Sequence, residues 1–165
     1  MKKIPLFALA LLLFAGVASA ESNLSISLSS EDELATVGPR RDVRDARLAI
    51  RTRDRSTMLL LMNDVVAVQL SDAAMAKIES ESDKKDAGFF EELILSGVRL
   101  ALGKSVEYPI ASIRNVEYRD GVLRMVNTKN APVFAEMKVN GTDVLRDFSS
   151  ADAARFVAAF RARKR

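Results

Sequence analysis

Residues 115–126 read Asn-Val-Glu-Tyr-Arg-Asp-Gly-Val-Leu-Arg-Met-Val, and this stretch decides the fold class. Asp120-Gly121 is a residue pair suited to a type I′ turn, whose two central positions both need positive φ. A two-residue turn at that point sets the register. Tyr118 then lies opposite Leu123 and Val116 opposite Met125 on an apolar face, with Glu117 opposite Arg124 as a charge pair on the other face. The chain is therefore expected to contain antiparallel hairpins closed by short turns.

Outward toward the C-terminus, Asn140-Gly141 marks a second hairpin, with Lys138 opposite Asp143. Phe148-Ser149-Ser150-Ala151-Asp152 then opens a helix with a capping box. Ala153, Phe156, Val157 and Phe160 recur at helical spacing and form its buried stripe. Arg161, Arg163, Lys164 and Arg165 end it, where cations suit the negative end of the helix dipole. An apolar-periodic segment like 110–116 leading into a hairpin, followed by a closing helix like FSSADAARFVAAFR, resembles the second half of a bacterial pleckstrin-homology-like domain. The resemblance covers residues 106–163, has no equivalent first half, and implies an architecture without assigning site residues.

Outward toward the N-terminus, Tyr108-Pro109 ends a helical pattern. Apolar residues at 89, 90, 93, 94, 97, 98, 101 and 102, with Leu95 and Leu100, form a stripe wide enough for a largely buried helix. That stripe, from Phe89 to Leu102, is also where a partner protein of the envelope or a second copy of the chain would dock. Ser71 can cap the start of this helical segment, Asp72 suits its positive end, and Leu70 can staple onto Met75. Further upstream, the apolar runs 58–62 and 65–68 flank Asn63-Asp64, a two-residue hairpin turn whose strands are apolar on both faces. Residues 24–28 alternate with period two and read as a strand, and 29–46 reads as an irregular connection. The expected fold class is α+β: antiparallel β-hairpins, a central helical segment over about 71–103 and a C-terminal amphipathic helix.

Ahead of this domain, Lys2 and Lys3 precede an apolar run over 4–14 and the small-residue signature Ala18-Ser19-Ala20. This pattern predicts a cleavable secretory signal peptide over 1–20. The apolar run covers only about 16 Å as a helix, against a hydrocarbon core of about 30 Å, so no transmembrane span is expected after cleavage. The mature chain, residues 21–165, then has the size of one domain. It contains no cysteine, hence no disulfide and no lipid attachment after the leader. That fits a bacterial periplasmic protein better than a small secreted eukaryotic domain. The 25 basic and 22 acidic residues give +3, and losing Lys2 and Lys3 leaves +1. Nucleic acid is not an expected partner.

Most chemistry is excluded by composition. Without His or Cys there is no Ser-His-Asp or Cys-His nucleophile and no usual zinc or copper ligand set, so no catalytic residue, metal or cofactor is assigned. Residues 97–105 end in Gly-Lys-Ser and look like a phosphate loop, but five residues separate the glycines instead of four. Ser82-Asp83-Lys84-Lys85 matches Ser-x-x-Lys without the partner motifs that chemistry needs. Glu91 and Glu92 are adjacent helix residues and diverge by about 100°. A wall-directed hydrolase is therefore the least favoured of the readings.

The feature least explained by folding is the arginine content of residues 40–55: Arg40, Arg41, Arg44, Arg47, Arg51, Arg53 and Arg55 against Asp42, Asp45 and Asp54. Read as a strand, 47–55 carries Arg47, Arg51, Arg53 and Arg55 on one face and Leu48 and Ile50 on the other. Such a ladder suits an anionic lipid headgroup, lipopolysaccharide or an anionic glycan, through forked guanidinium contacts. The competing expectation is internal or intersubunit pairing with the seven acidic residues of 71–92. Function is accordingly read as that of an exported, non-enzymatic accessory or interaction module, with anion binding as the alternative.

Overall fold

The computed structural model describes residues 34–82, 103–135, 137–139 and 142–164. The predicted leader, the 24–28 strand and the 89–102 stripe lie outside the described residues. Five strands form one antiparallel sheet: β1 (Thr36–Pro39), β2 (Leu48–Arg51), β3 (Thr57–Leu61), β4 (Val65–Leu70) and β5 (Lys104–Pro109), in the spatial order β1-β5-β4-β3-β2. Helix α1 (Asp72–Ser82) follows β4. After β5 come the hairpin β6 (Ile113–Arg119) and β7 (Val122–Asn127), a two-residue pair β8 (Lys138–Val139) and β9 (Thr142–Asp143), and helix α2 (Ser150–Lys164). The α+β class stands, and among the described residues no helix is long and apolar enough to cross a membrane.

The sheet is apolar on both faces, as the runs around Asn63-Asp64 predict. Met62 N–H donates to Val65 C=O at 2.9 Å and closes that hairpin with two residues. On the inner face Ile50, Leu59, Leu61, Val66, Val68 and Tyr108 join the main core. That core is completed by Val116, Leu123 and Met125 of the β6–β7 hairpin, by Phe148, and by Ala153, Phe156, Val157 and Phe160 of α2. On the outer face Met58, Leu60, Met62 and Ala67 pack against Val43, Ala46, Ala49 and Val65. Each fully buried leucine of β3 contributes about 1.5–3 kcal/mol of transfer free energy.

The local signals in the C-terminal third are met in detail. Asp120 and Gly121 have φ of 53° and 77°, the double positive φ of the I′ turn. The register pairs Tyr118 with Leu123, Glu117 with Arg124 and Val116 with Met125. Lys138 pairs with Asp143 in the second hairpin. At the start of α2, Ser149 Oγ accepts the Asp152 N–H at 3.0 Å and donates to the Asp152 carboxylate at 2.8 Å. Ser71 Oγ likewise caps α1 by accepting the Ala74 N–H at 3.0 Å. Leu70 and Ile78 pack with Met75 and Ala74, placing Leu70 and Met75 in the expected cluster.

Three expectations are corrected. Residues 36–39 are a strand, not part of an irregular connection, because they pair along their length with β5, Thr36 with Glu107 and Gly38 with Ser105. Lys104–Pro109 is itself a strand held between β1 and β4, so the helical segment cannot reach residue 103, which lies in a turn. Third, the strand expected over 47–55 stops at Arg51. Thr52 N–H donates to Thr57 C=O at 3.0 Å, Thr57 N–H returns to Thr52 Oγ1 at 3.0 Å, and Arg55 takes φ of 61°. Those bonds turn the chain back into β3.

Candidate anion-binding surface

The seven arginines of 40–55 divide according to what the sheet puts beneath them. After β1 the chain turns back across the outer face. There Ser105 and Glu107 of β5 and Gln69 of β4 are buried, with Glu107 only 5 % exposed. A buried carboxylate needs a cation and hydrogen bonds to stay ionised, and Arg41 supplies both. Its Nε and Nη2 donate to Glu107 Oε1 and Oε2, each at 2.6 Å. Ser105 Oγ adds a third bond to Oε1 at 2.6 Å. The Gln69 amide closes a ring with the Arg41 main chain, accepting its N–H at 2.9 Å and donating to its carbonyl at 3.0 Å.

Those contacts set the electrostatics. The hydrogen bonds from Arg41 hold the Glu107 carboxyl below the usual glutamate range against the opposing pull of burial, with Ser105 assisting. The same bond raises the Arg41 guanidinium further above its ordinary value. Gly38 is fitted to this arrangement: a Cβ there would sit 2.9 Å from Glu107 Oε1 and 3.2 Å from its Cδ. Arg40 pairs with Asp72 at 2.5 Å and Arg44 with Asp42 at 2.5 Å. Side-chain and main-chain hydrogen bonds from Arg44 bring the Asp42 pKa down to about 2. Internal pairing therefore accounts for Arg40, Arg41 and Arg44, although only Arg40 uses an acid from the expected 71–92 stretch.

Arg47, Arg51, Arg53 and Arg55 make no ion pair among the described residues. Arg47, immediately before β2, donates from Nε to Asn63 Oδ1 at 2.7 Å. Arg51 ends β2 opposite Met58 and is exposed. Arg53 lies in the β2–β3 loop, its Nη2 donating to Phe148 C=O at 2.9 Å and its N–H to Asp147 C=O at 2.7 Å. Arg55 sits in the same loop, and its carbonyl accepts the Ser71 hydroxyl. The four do not form one ladder. Arg47 precedes a four-residue strand that Arg51 ends, and the other two project from a loop docked on the α1 cap and on Asp147.

The other sequence candidates resolve less. Lys104 and Ser105, the end of the phosphate-loop lookalike, lie in strand β5 and not at a helix N-terminus, where such a loop needs them. Glu91 and Glu92, and residues 83–85 of the Ser-x-x-Lys match, fall outside the described residues. Among the described residues no group of three or more acidic side chains could hold a metal ion. Sequence reasoning missed Glu107 as the partner of Arg41. The alternation of Ser105 and Glu107 with Val106 and Tyr108 was the available signal. Comparison of the chain with protein-family models, with curated proteins and with solved structures finds no match.

Proposed function

We propose that this protein is an exported, non-enzymatic interaction module of the bacterial envelope that takes an anionic partner on the arginines of residues 47–55. The observation that carries the reading is the division described above. Every arginine of 40–44 has a carboxylate, and none of Arg47, Arg51, Arg53 and Arg55 has one among the described residues. A guanidinium left without a counter-charge keeps its forked donors available for phosphate or carboxylate oxygens. The exported location rests on the leader pattern of residues 1–20.

The test is co-sedimentation of the protein, purified from the cell envelope, with vesicles of phosphatidylglycerol and phosphatidylcholine over a range of salt. Binding is expected to weaken steeply with salt, because exposed charges are screened within about 8 Å at physiological ionic strength. It is expected to be lost on charge reversal at Arg51 and Arg55, whose guanidinium groups have no partner among the described residues. Unchanged binding in that variant would sink the reading.

A further inference from the structure

The last turn of α2 lies against the β3–β4 turn and the start of β6. Arg163 Nη2 donates to the main-chain carbonyl of Asn63 at 3.0 Å, and Arg47 Nε takes the Oδ1 of the same residue at 2.7 Å. Lys164 Nζ donates to the carbonyls of Ile113 and Arg114, the latter at 3.0 Å. Arg114 Nη1 donates to Asn130 Oδ1. Four cations from three parts of the chain are thus seated on neutral oxygens, and none makes an ion pair among the described residues.

A neutral acceptor fixes a guanidinium in place while leaving its charge and most of its five donors unused. Two guanidiniums anchored on the two oxygens of one asparagine also repel each other, and a bound anion would relieve that repulsion. The negative end of the α2 dipole accounts for cations in its own last turn, but it does not call for Arg47 or Arg114, which come from outside the helix. Asp64, the residue after Asn63 in the β3–β4 turn, makes no ion pair with any of the four among the described residues.

From this geometry we infer a phosphate-binding site formed by Arg47, Arg114, Arg163 and Lys164, taking a ligand with closely spaced phosphate groups. The inference goes beyond the reading of the 47–55 arginines and stands apart from it, sharing only Arg47 with the surface described above. Among the described residues the exposed large apolar side chains, Leu34 and Val37 (40 % and 41 % exposed), lie at or beside β1, at the sheet edge opposite β2. The cluster itself consists of cations seated on neutral oxygens. The ligand is therefore recognised by its charge, whether it is a free oligophosphate or a phosphorylated headgroup presented on a surface.

The experiment is calorimetric titration of the protein, purified from the envelope, with inorganic tripolyphosphate at low and moderate salt. Co-sedimentation with phosphatidylglycerol vesicles runs in parallel. Arg47→Gln with Arg163→Gln is expected to weaken binding about tenfold, as two charge-assisted contacts are lost. Asn63→Asp removes no cation but puts a carboxylate between them. It is expected to abolish binding while leaving thermal stability unchanged or raised, which a purely structural role for these cations would not produce.

Tripolyphosphate binding that falls in both variants but survives charge reversal at Arg51 and Arg55 supports the site. Vesicle binding alone, with the same sensitivity, supports it and identifies the source as a lipid headgroup. Binding that survives both variants overturns the site. If that binding then falls on reversal of Arg51 and Arg55, the reading of the 47–55 arginines stands without it. No binding by the unaltered protein in either arm overturns both.

Discussion

Arg40, Arg41 and Arg44 all reach carboxylates, whereas Arg47, Arg51, Arg53 and Arg55, beginning three residues later, reach none among the described residues. Both stretches are rich in arginine with a single interleaved aspartate. The difference lies in what the topology sets beneath them. Residues 40–44 cross the outer sheet face over Glu107 and beside Asp72, while 47–55 forms an edge strand and a loop whose nearest acceptors are carbonyls and amides. An arginine-rich segment is therefore not one feature. Part of it fastens the fold, and part is left with charge to spare.

The sharpest break of this contrast is the same charge reversal made on each side of it. Arg41→Glu opposes two carboxylates on a buried face and is expected to cost about 3 kcal/mol. At this chain length that lowers the thermal midpoint by roughly 6–12 °C, readable by circular dichroism. Next comes Gly38→Ala, whose new methyl group displaces the Glu107 carboxylate from Arg41. A loss of about 1–2 kcal/mol in denaturant titration is expected. A Gly38→Ala protein as stable as the original would show that the clasp has slack.

Acid supplies a third comparison. Glu107 has its folded-state pKa below the unfolded one, so its contribution is complete above the unfolded value, near 4.3. It is lost as pH falls through the folded value. The stability gap between the protein and Glu107→Gln should be full at pH 7 and narrow below about pH 4. A gap that widens in acid would reverse the assignment. The smallest effect belongs to Arg51→Glu, expected to change stability by no more than about 0.5 kcal/mol while altering affinity for anions.

What the sequence made legible was local. The Asp120-Gly121 turn, the Asn63-Asp64 turn, the Ser149 cap and the α2 stripe each depend on residues a few positions apart, and each appears as read. β1 and β5 were missed because their evidence is mutual: Thr36–Pro39 has no useful alternation, and only pairing with Lys104–Pro109 makes it a strand. The Arg41–Glu107 clasp joins residues 66 apart, beyond any periodicity argument. Arg53 and Arg55 were put on a strand face because parity was extended past Thr52, where side-chain bonding to Thr57 turns the chain. The four arginines could be named from sequence. That they lack counter-charges could not, since that depended on where the acids fell.

The sheet order β1-β5-β4-β3-β2 also dictates a sequence of events. β2, β3 and β4 are neighbours in the chain and can zip as a meander, whereas β1 must wait for β5. Loop-closure entropy delays such distant pairings. As the chain is made, its first described strand therefore emerges early and stays single. Pro39 in that strand and Arg40 and Arg41 just after it blunt a bare edge that would otherwise recruit the wrong partner. Pulse-labelled hydrogen exchange during refolding should show the β3 and β4 amides protected before those of β1. Simultaneous protection would mean the sheet closes in one step.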